Sequence, residues 1–158
     1  TGGEWEGKPV QALAVEGKAA MLISMQNYLA GTDALVKCDF GGFGIQPETY
    51  AALLTAATGE PHSAEEFDQL GERIWNLTRQ FNLREGLNPA EDTLPKRFIH
   101  DPLPSGPYKG HHFSAQDMDF MLKDYYSLRG WDETGRPTTE TLKQVGVQDM
   151  SKFEQLRT

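Results

Sequence analysis

"SAEEFDQLGERIWNLTRQF", residues 63–81, decides the fold. Ser63 and Glu66 have the spacing of a capping box, in which the serine hydroxyl accepts the third helical N–H and the glutamate reaches back to the serine N–H. Behind the cap, Phe67, Leu70, Ile74, Leu77 and Phe81 recur at steps of three and four. That period predicts a helix of about 18 residues with one face buried. Gly71 costs such a helix ~1 kcal/mol relative to alanine, so close packing against a neighbour is expected there. The other face carries Glu72, Arg73, Asn76, Arg79 and Gln80. A mixed polar face is ordinarily solvated. Arg73, Asn76 and Arg79 nevertheless recur every third residue, and arginines can tie a helix to an adjoining loop or domain through planar, bidentate bonds. The role read for them is structural, not catalytic.

Working outward, the same period appears upstream at Met21, Leu22, Met25, Tyr28 and Leu29, which predicts a helix over residues 16–30 with these side chains on one face. Pro47 can open a second helix, since a first helical turn has no use for the missing N–H. Gly59 is a natural C-terminal stop for it. Downstream, Ser114 and Asp117 repeat the box spacing ahead of Met118, Met121, Leu122, Tyr125 and Leu128. Thr138 is the cap of a short helix ending at Gly146, and "MSKFEQLR", residues 150–157, is read as a last turn or two. No stretch alternates as a half-buried strand does. Residues 82–112 contain five prolines and three glycines but also apolar anchors such as Leu94, Phe98 and Tyr108. They are expected to form an ordered connection that wraps over a helical surface or over another domain. The fold expectation is all-α: an irregular bundle of five or six helices with one long Pro/Gly-rich wrapping loop.

Composition narrows the function classes. A chain of 158 residues suits a single domain. Its net charge of −8, with 15 scattered basic residues, argues against nucleic acid and against an anionic membrane surface. No apolar run approaches the ~20 residues that span a bilayer. The chain starts "TGGEWEG", without methionine, and is expected to be an internal piece of a longer polypeptide or a processed end. One cysteine excludes an internal disulfide and a complete Cys-rich zinc site, which fits a reducing, cytoplasmic setting.

The candidates for chemistry lie in "TDALVKCDF", residues 32–40. Cys38 is either a small core hydrophobe, the commonest state of a free cysteine, or one thiolate of an iron–sulfur cluster whose other ligands lie elsewhere. Asp33 is either a helix-end residue that bonds nearby backbone or an acceptor-only carboxylate that takes N–H bonds from a heterocyclic ligand. His62, His100, His111 and His112 lack the i, i+4 spacing of a metal pair and read as loop residues. "GGFG", residues 41–44, is not followed by the Lys-Ser/Thr of a phosphate loop and reads as a turn needing positive φ. No catalytic residue is assigned.

Three stretches resemble the C-terminal helical domain of the tungsten-containing aldehyde:ferredoxin oxidoreductase family. They are "DALVKC" (33–38), "ERIWNLTRQFNLREG…DTLPKRF" (72–98) and "MLKDYYSLRGWDETGRPTTETLKQVGV" (121–147). The first resembles the family's Asp-x-x-Gly-Leu-Cys/Asp pterin motif, with Val36 where glycine is usual and Lys37 where leucine is usual. The resemblance covers nearly the whole chain and implies that residues 1–158 are a C-terminal domain whose upstream domains are missing. It implies Cys38 as fourth thiolate of a [4Fe–4S] cluster, Asp33 as a partner of one pterin, and the Lys37 main chain beside the same cofactor. The implied cofactors are a tungsten (or molybdenum) bis-pyranopterin and the cluster, both in the full-length protein and neither expected on this piece alone. The implied activity is oxidation of an aldehyde to a carboxylic acid, with electrons passed to ferredoxin, and the isolated chain is expected to be inactive. Two rivals remain: a helical protein-interaction domain with a buried structural cysteine and no redox role, and a ring- or thioester-reducing relative. An exposed apolar patch is expected where missing domains dock, with residues 5–14 poorly packed.

Overall fold

Six α-helices occur among residues 4–5, 7–42 and 44–148, the residues described by the computed structural model. They are α1 (Lys18–Ala34), α2 (Pro47–Thr58), α3 (Ala64–Arg84), α4 (Lys96–His100), α5 (Ala115–Leu128) and α6 (Thr139–Gln144). Two-residue strands β1 (Glu4–Trp5) and β2 (Lys8–Pro9) pair antiparallel. Residues 150–157, expected to form a final turn, lie outside the described residues.

The helix starts follow cap chemistry. At α3, the Glu66 N–H donates to Ser63 Oγ at 3.2 Å and the Ser63 N–H to Glu66 Oε2 at 2.9 Å. The same reciprocal pair joins Ser114 and Asp117 at α5. Pro47 opens α2, and Gly59 closes it at φ 78°, in the left-handed region that costs glycine nothing. Within the long connection the structure adds a 3-10 turn, Pro89–Glu91, and the short α4. Asn88 Oδ1 caps the first by accepting the Ala90 N–H at 3.0 Å.

The centre is the crossing of α1 and α3. A Cβ at Gly71 would overlap the Asn27 main chain, which accounts for the glycine that interrupts α3. One turn along, a Cβ at Gly31 would stand 2.7 Å from Phe67 Cζ. Tyr50 of α2 stacks on Phe67 with ring centroids 5.4 Å apart, and Tyr28 meets both edge-on.

Which faces are buried differs from the expectation. Of the α3 stripe, Phe67 is 3% exposed, but Leu77 and Phe81 are 46% and 48% exposed. The second half of α3 instead buries Asn76, Arg79 and Gln80. On α1 the periodic residues Leu22, Met25 and Leu29 point outward, while Ala19, Asn27, Gly31 and Thr32 are buried. The cause is nonlocal. Small residues let α1 and α3 approach closely, and the chain after α5 then lays Trp131 on the polar side of α3. There Trp131 Nε1 donates to Asn76 Oδ1 at 2.9 Å. A buried polar side chain is tolerated once its bonds are made.

In the long connection, every residue from 101 to 110 is exposed. Its shape is held by the Leu103 N–H to His111 O bond at 2.8 Å and the Gly110 N–H to Leu103 O bond at 2.9 Å. The described residues between 5 and 14 are exposed or half-buried, as expected.

Candidate functional site

Helix α1 carries Asp33 in its last turn and stops directly after it. The Thr32 carbonyl accepts the Leu35 N–H at 3.1 Å, and the Asp33 carbonyl accepts the Val36 N–H at 2.9 Å. Val36 then adopts φ 55°. A β-branched residue there is strained, because its Cβ crowds the backbone. In the motif that residues 33–38 resemble, glycine is usual here; in this chain valine bears the left-handed turn. The turn releases the chain into Lys37, Cys38 and a 3-10 turn, Asp39–Gly41. The Cys38 carbonyl accepts the Gly41 N–H at 3.1 Å and lies 3.3 Å from Lys37 Nζ.

Asp33 and Cys38 are both exposed. No hydrogen bond or ion pair engages the Asp33 carboxylate among the described residues. The expectation that Cys38 is a small core hydrophobe is therefore overturned, and with it the buried structural cysteine of the interaction-domain rival. The reason is local: α1 ends before the thiol, and the left-handed turn lifts the segment off the core. Lys37 is half-buried, with its amine 5.3 Å from the centre of the Tyr50 ring. Tyr28 Oη donates to the Ile45 carbonyl at 2.9 Å and pins the glycine-rich turn to α1. Gly44 in that turn has φ 88°, as the turn reading requires. Tyr50 Oη is buried beneath this segment and has no partner among the described residues. A cavity of about 350 Å³ opens beside the glycine-rich turn, lined in part by Met25, Tyr28, Leu29 and Lys37.

All four histidines are exposed. Among the described residues no group of three or more His, Cys, Asp or Glu side chains could hold a metal ion. The chemistry of the donors does fit the two implied groups. An acceptor-only carboxylate suits the N–H edge of a pterin, and an exposed cysteine sulfur suits iron. Each meets the surface unengaged, five residues apart in sequence.

Two polar assemblies behind this segment were not read from the sequence in full. The Arg129 side chain is 0% exposed. It ion-pairs with Glu72 and donates to Asn27 Oδ1 at 2.7 Å and Gln26 Oε1 at 2.8 Å, joining α1 and α3 to the end of α5. Arg79 donates to the Gly135 carbonyl at 2.8 Å and grips both oxygens of Asp92. This is the helix-to-loop tie that the arginine spacing suggested. Partial burial works to raise the Asp92 pKa, but hydrogen bonds from Arg79 and Tyr126 and the Arg79 charge outweigh it and hold the carboxyl below its usual range. Burial and the bond to Asp92 push the Tyr126 phenol up to about 12. Spacing could not find these partners, because Glu72 and Arg129 are 57 residues apart.

Comparison with known proteins bears on the segment. Residues 3–147 match the family described as aldehyde ferredoxin oxidoreductase, domains 2 and 3. A tungsten-containing aldehyde ferredoxin oxidoreductase of Pyrococcus horikoshii is 45% identical over 133 residues, 84% of this chain and 21% of that protein. That of Thermococcus kodakarensis is 46% identical over 131 residues, 82% of this chain and 21% of that protein. An aliphatic sulfonate oxidoreductase, WOR-like subunit, of Pyrococcus furiosus is 32% identical over 111 residues, 67% of this chain and 15% of that protein. The chain thus spans about a fifth of the length of the tungsten-containing relatives. Among solved structures, the active site complex BamBC of benzoyl coenzyme A reductase, bound to 1,5-dienoyl-CoA, superposes with a TM-score of 0.69. It covers 98% of this chain and 23% of that one, and at 21% identity it shows the fold alone.

Proposed function

The chain belongs to the aldehyde ferredoxin oxidoreductase family, and from that premise we propose that residues 1–158 act as the C-terminal helical domain of a cytoplasmic, tungsten (or molybdenum) bis-pterin oxidoreductase. In the full-length protein, Cys38 supplies the fourth thiolate of a [4Fe–4S] cluster, with three cysteines from upstream domains. The Asp33 carboxylate accepts N–H bonds from one pterin, and the Lys37 main chain lies beside it. When bound, the metal–pterin group supplies the two-electron couple that turns an aldehyde and water into a carboxylic acid and two protons, with both electrons leaving through the cluster to ferredoxin. The residues of this chain bind and orient the two centres from one short segment; the cofactors carry the redox step. The isolated chain, with one thiolate, is inactive.

One observation carries this reading: Asp33 and Cys38 reach the surface together, unengaged, from the end of one helix. The test uses anaerobically purified full-length protein, expected to hold tungsten or molybdenum and about four irons per chain. Cys38→Ala is expected to lose iron, and Asp33→Ala to lose pterin and its metal. A Cys38→Ala protein that keeps its iron and its aldehyde oxidation sinks the assignment.

A further inference from the structure

We propose that the outward face of α1, continuing through Val36 and Phe40, is the surface on which the remainder of the full-length polypeptide docks. The sequence gives α1 an unusual surface. Residues 19–32 contain no charged side chain, in a chain that is 24% charged. Yet Leu22, Met25 and Leu29 on this helix are 45%, 49% and 41% exposed. Spaced three and four residues apart, they form one stripe along the helix. The stripe leads to Val36 and Phe40, at 94% and 86% the most exposed of the large apolar side chains among the described residues.

The surroundings of the stripe fit a large, permanent occupant. A cavity of about 310 Å³ opens on one side, with Leu22 and Gln26 in its wall. The cavity of about 350 Å³ lies on the other, with Met25 and Leu29 in its wall. A ridge between two hollows accepts side chains from a partner on both flanks. Depletion of charge marks the core of an interface, and obligate interfaces are the more apolar ones. Val36 adds a separate indication. Its strained φ of 55° and 94% exposure leave it little contact within the described chain to offset the cost, and such strain persists where surroundings over-determine it.

One occupant fits. The chain spans about a fifth of the length of its tungsten-containing relatives, so most of such a polypeptide needs a surface to pack on. An uncharged stripe of aliphatic side chains and methionine matches an apolar surface of the same chain. It does not match an acidic or basic partner. The inference stands apart from the cluster assignment, since it uses neither the Cys38 thiol nor the Asp33 carboxylate.

Hydroxyl-radical footprinting of the full-length protein, read by mass spectrometry against the unfolded protein, tests it. Leu22, Met25 and Leu29 are expected to be protected several-fold more than their exposure here allows, and equally so at all protein concentrations. In Leu29→Glu, modification of Leu22 and Met25 rises. If that variant does not fold, the wild-type footprint alone decides. Labelling of the wild-type stripe as freely as its exposure here permits overturns the proposal. So does protection that fades on dilution, which assigns the face to a second copy of the chain. Iron content, measured on the same samples, reports separately on the cluster: protection without iron keeps this inference and removes that one.

Discussion

Gly71 lies so close to the main chain of Asn27 that a methyl group there would overlap the Asn27 carbonyl. Alanine is the better helix former by about 1 kcal/mol, so a helix in isolation would gain from Gly71→Ala. In the folded chain backbone meets backbone, and neither side can rotate away. Gly71→Ala is expected to destabilise by about 1–3 kcal/mol, as overpacked sites do, and urea unfolding monitored by far-ultraviolet dichroism reads it.

The Arg79–Asp92 pair ties α3 to the long connection, and its two members are not independent. Asp92→Ala leaves the buried Arg79 guanidinium without its charge partner and is expected to cost about 3–5 kcal/mol. Arg79→Ala leaves a half-buried Asp92 that keeps its bond from Tyr126 and is expected to cost less. Because both changes remove one shared interaction, the double variant is expected to lose clearly less than the sum. A double-mutant cycle in urea checks the coupling.

The same assembly sets a pH dependence with two edges. The Asp92 pKa is lowered in the folded state from its ordinary value of 3.8. Its contribution is therefore complete above that value and is lost as pH falls through the lower, folded pKa. The Tyr126 pKa is raised from 10.0 to about 12. Its contribution is complete below 10.0 and is lost as pH rises toward about 12, when a phenolate would face the Asp92 carboxylate. Thermal unfolding across pH 9–12 is expected to show a falling midpoint that Tyr126→Phe flattens.

Val36 holds a left-handed turn that glycine would hold without strain. Val36→Gly is expected to stabilise the chain by roughly 0.5–1 kcal/mol, the strain relieved less the added freedom of the unfolded glycine. Val36→Ala retains a Cβ and is expected to gain much less. Denaturant midpoints separate the two.

The exposed Cys38 thiol gives a direct chemical reading. In the folded chain it is expected to react with a disulfide reagent about as fast as in the unfolded chain, since access and not unfolding limits the rate. Slow reaction, limited by unfolding, would contradict the exposure described above.

The sequence announced where helices begin far better than which way they face. Ser63, Ser114, Thr138 and Pro47 act within one turn of themselves, so the signal and the structure it makes are local. Burial of one face depends on what arrives from elsewhere. Leu77 and Phe81 satisfy helical periodicity yet lie open, because Trp131, Tyr126 and Asp92 occupy the polar side of α3 instead. The stripe on α1 carried the same ambiguity: a regular apolar period marks a face that needs covering without saying whether this chain supplies the cover. Asp33 and Cys38 were legible as a pair through the motif they resemble. Their common exposure came only from the ending of α1 and the turn at Val36.

Arg129 also fixes the order in which this bundle can be completed. Its guanidinium closes the site formed by Asn27 and Glu72, and it lies 57 residues after Glu72 along the chain. On the ribosome, at about 5–20 residues per second, Glu72 emerges roughly 3–11 s before the arginine that neutralises it. Until then Glu72 has only the amides of Asn27 and Asn76 as partners, so the keystone is laid last and a chain terminated before residue 129 never acquires it.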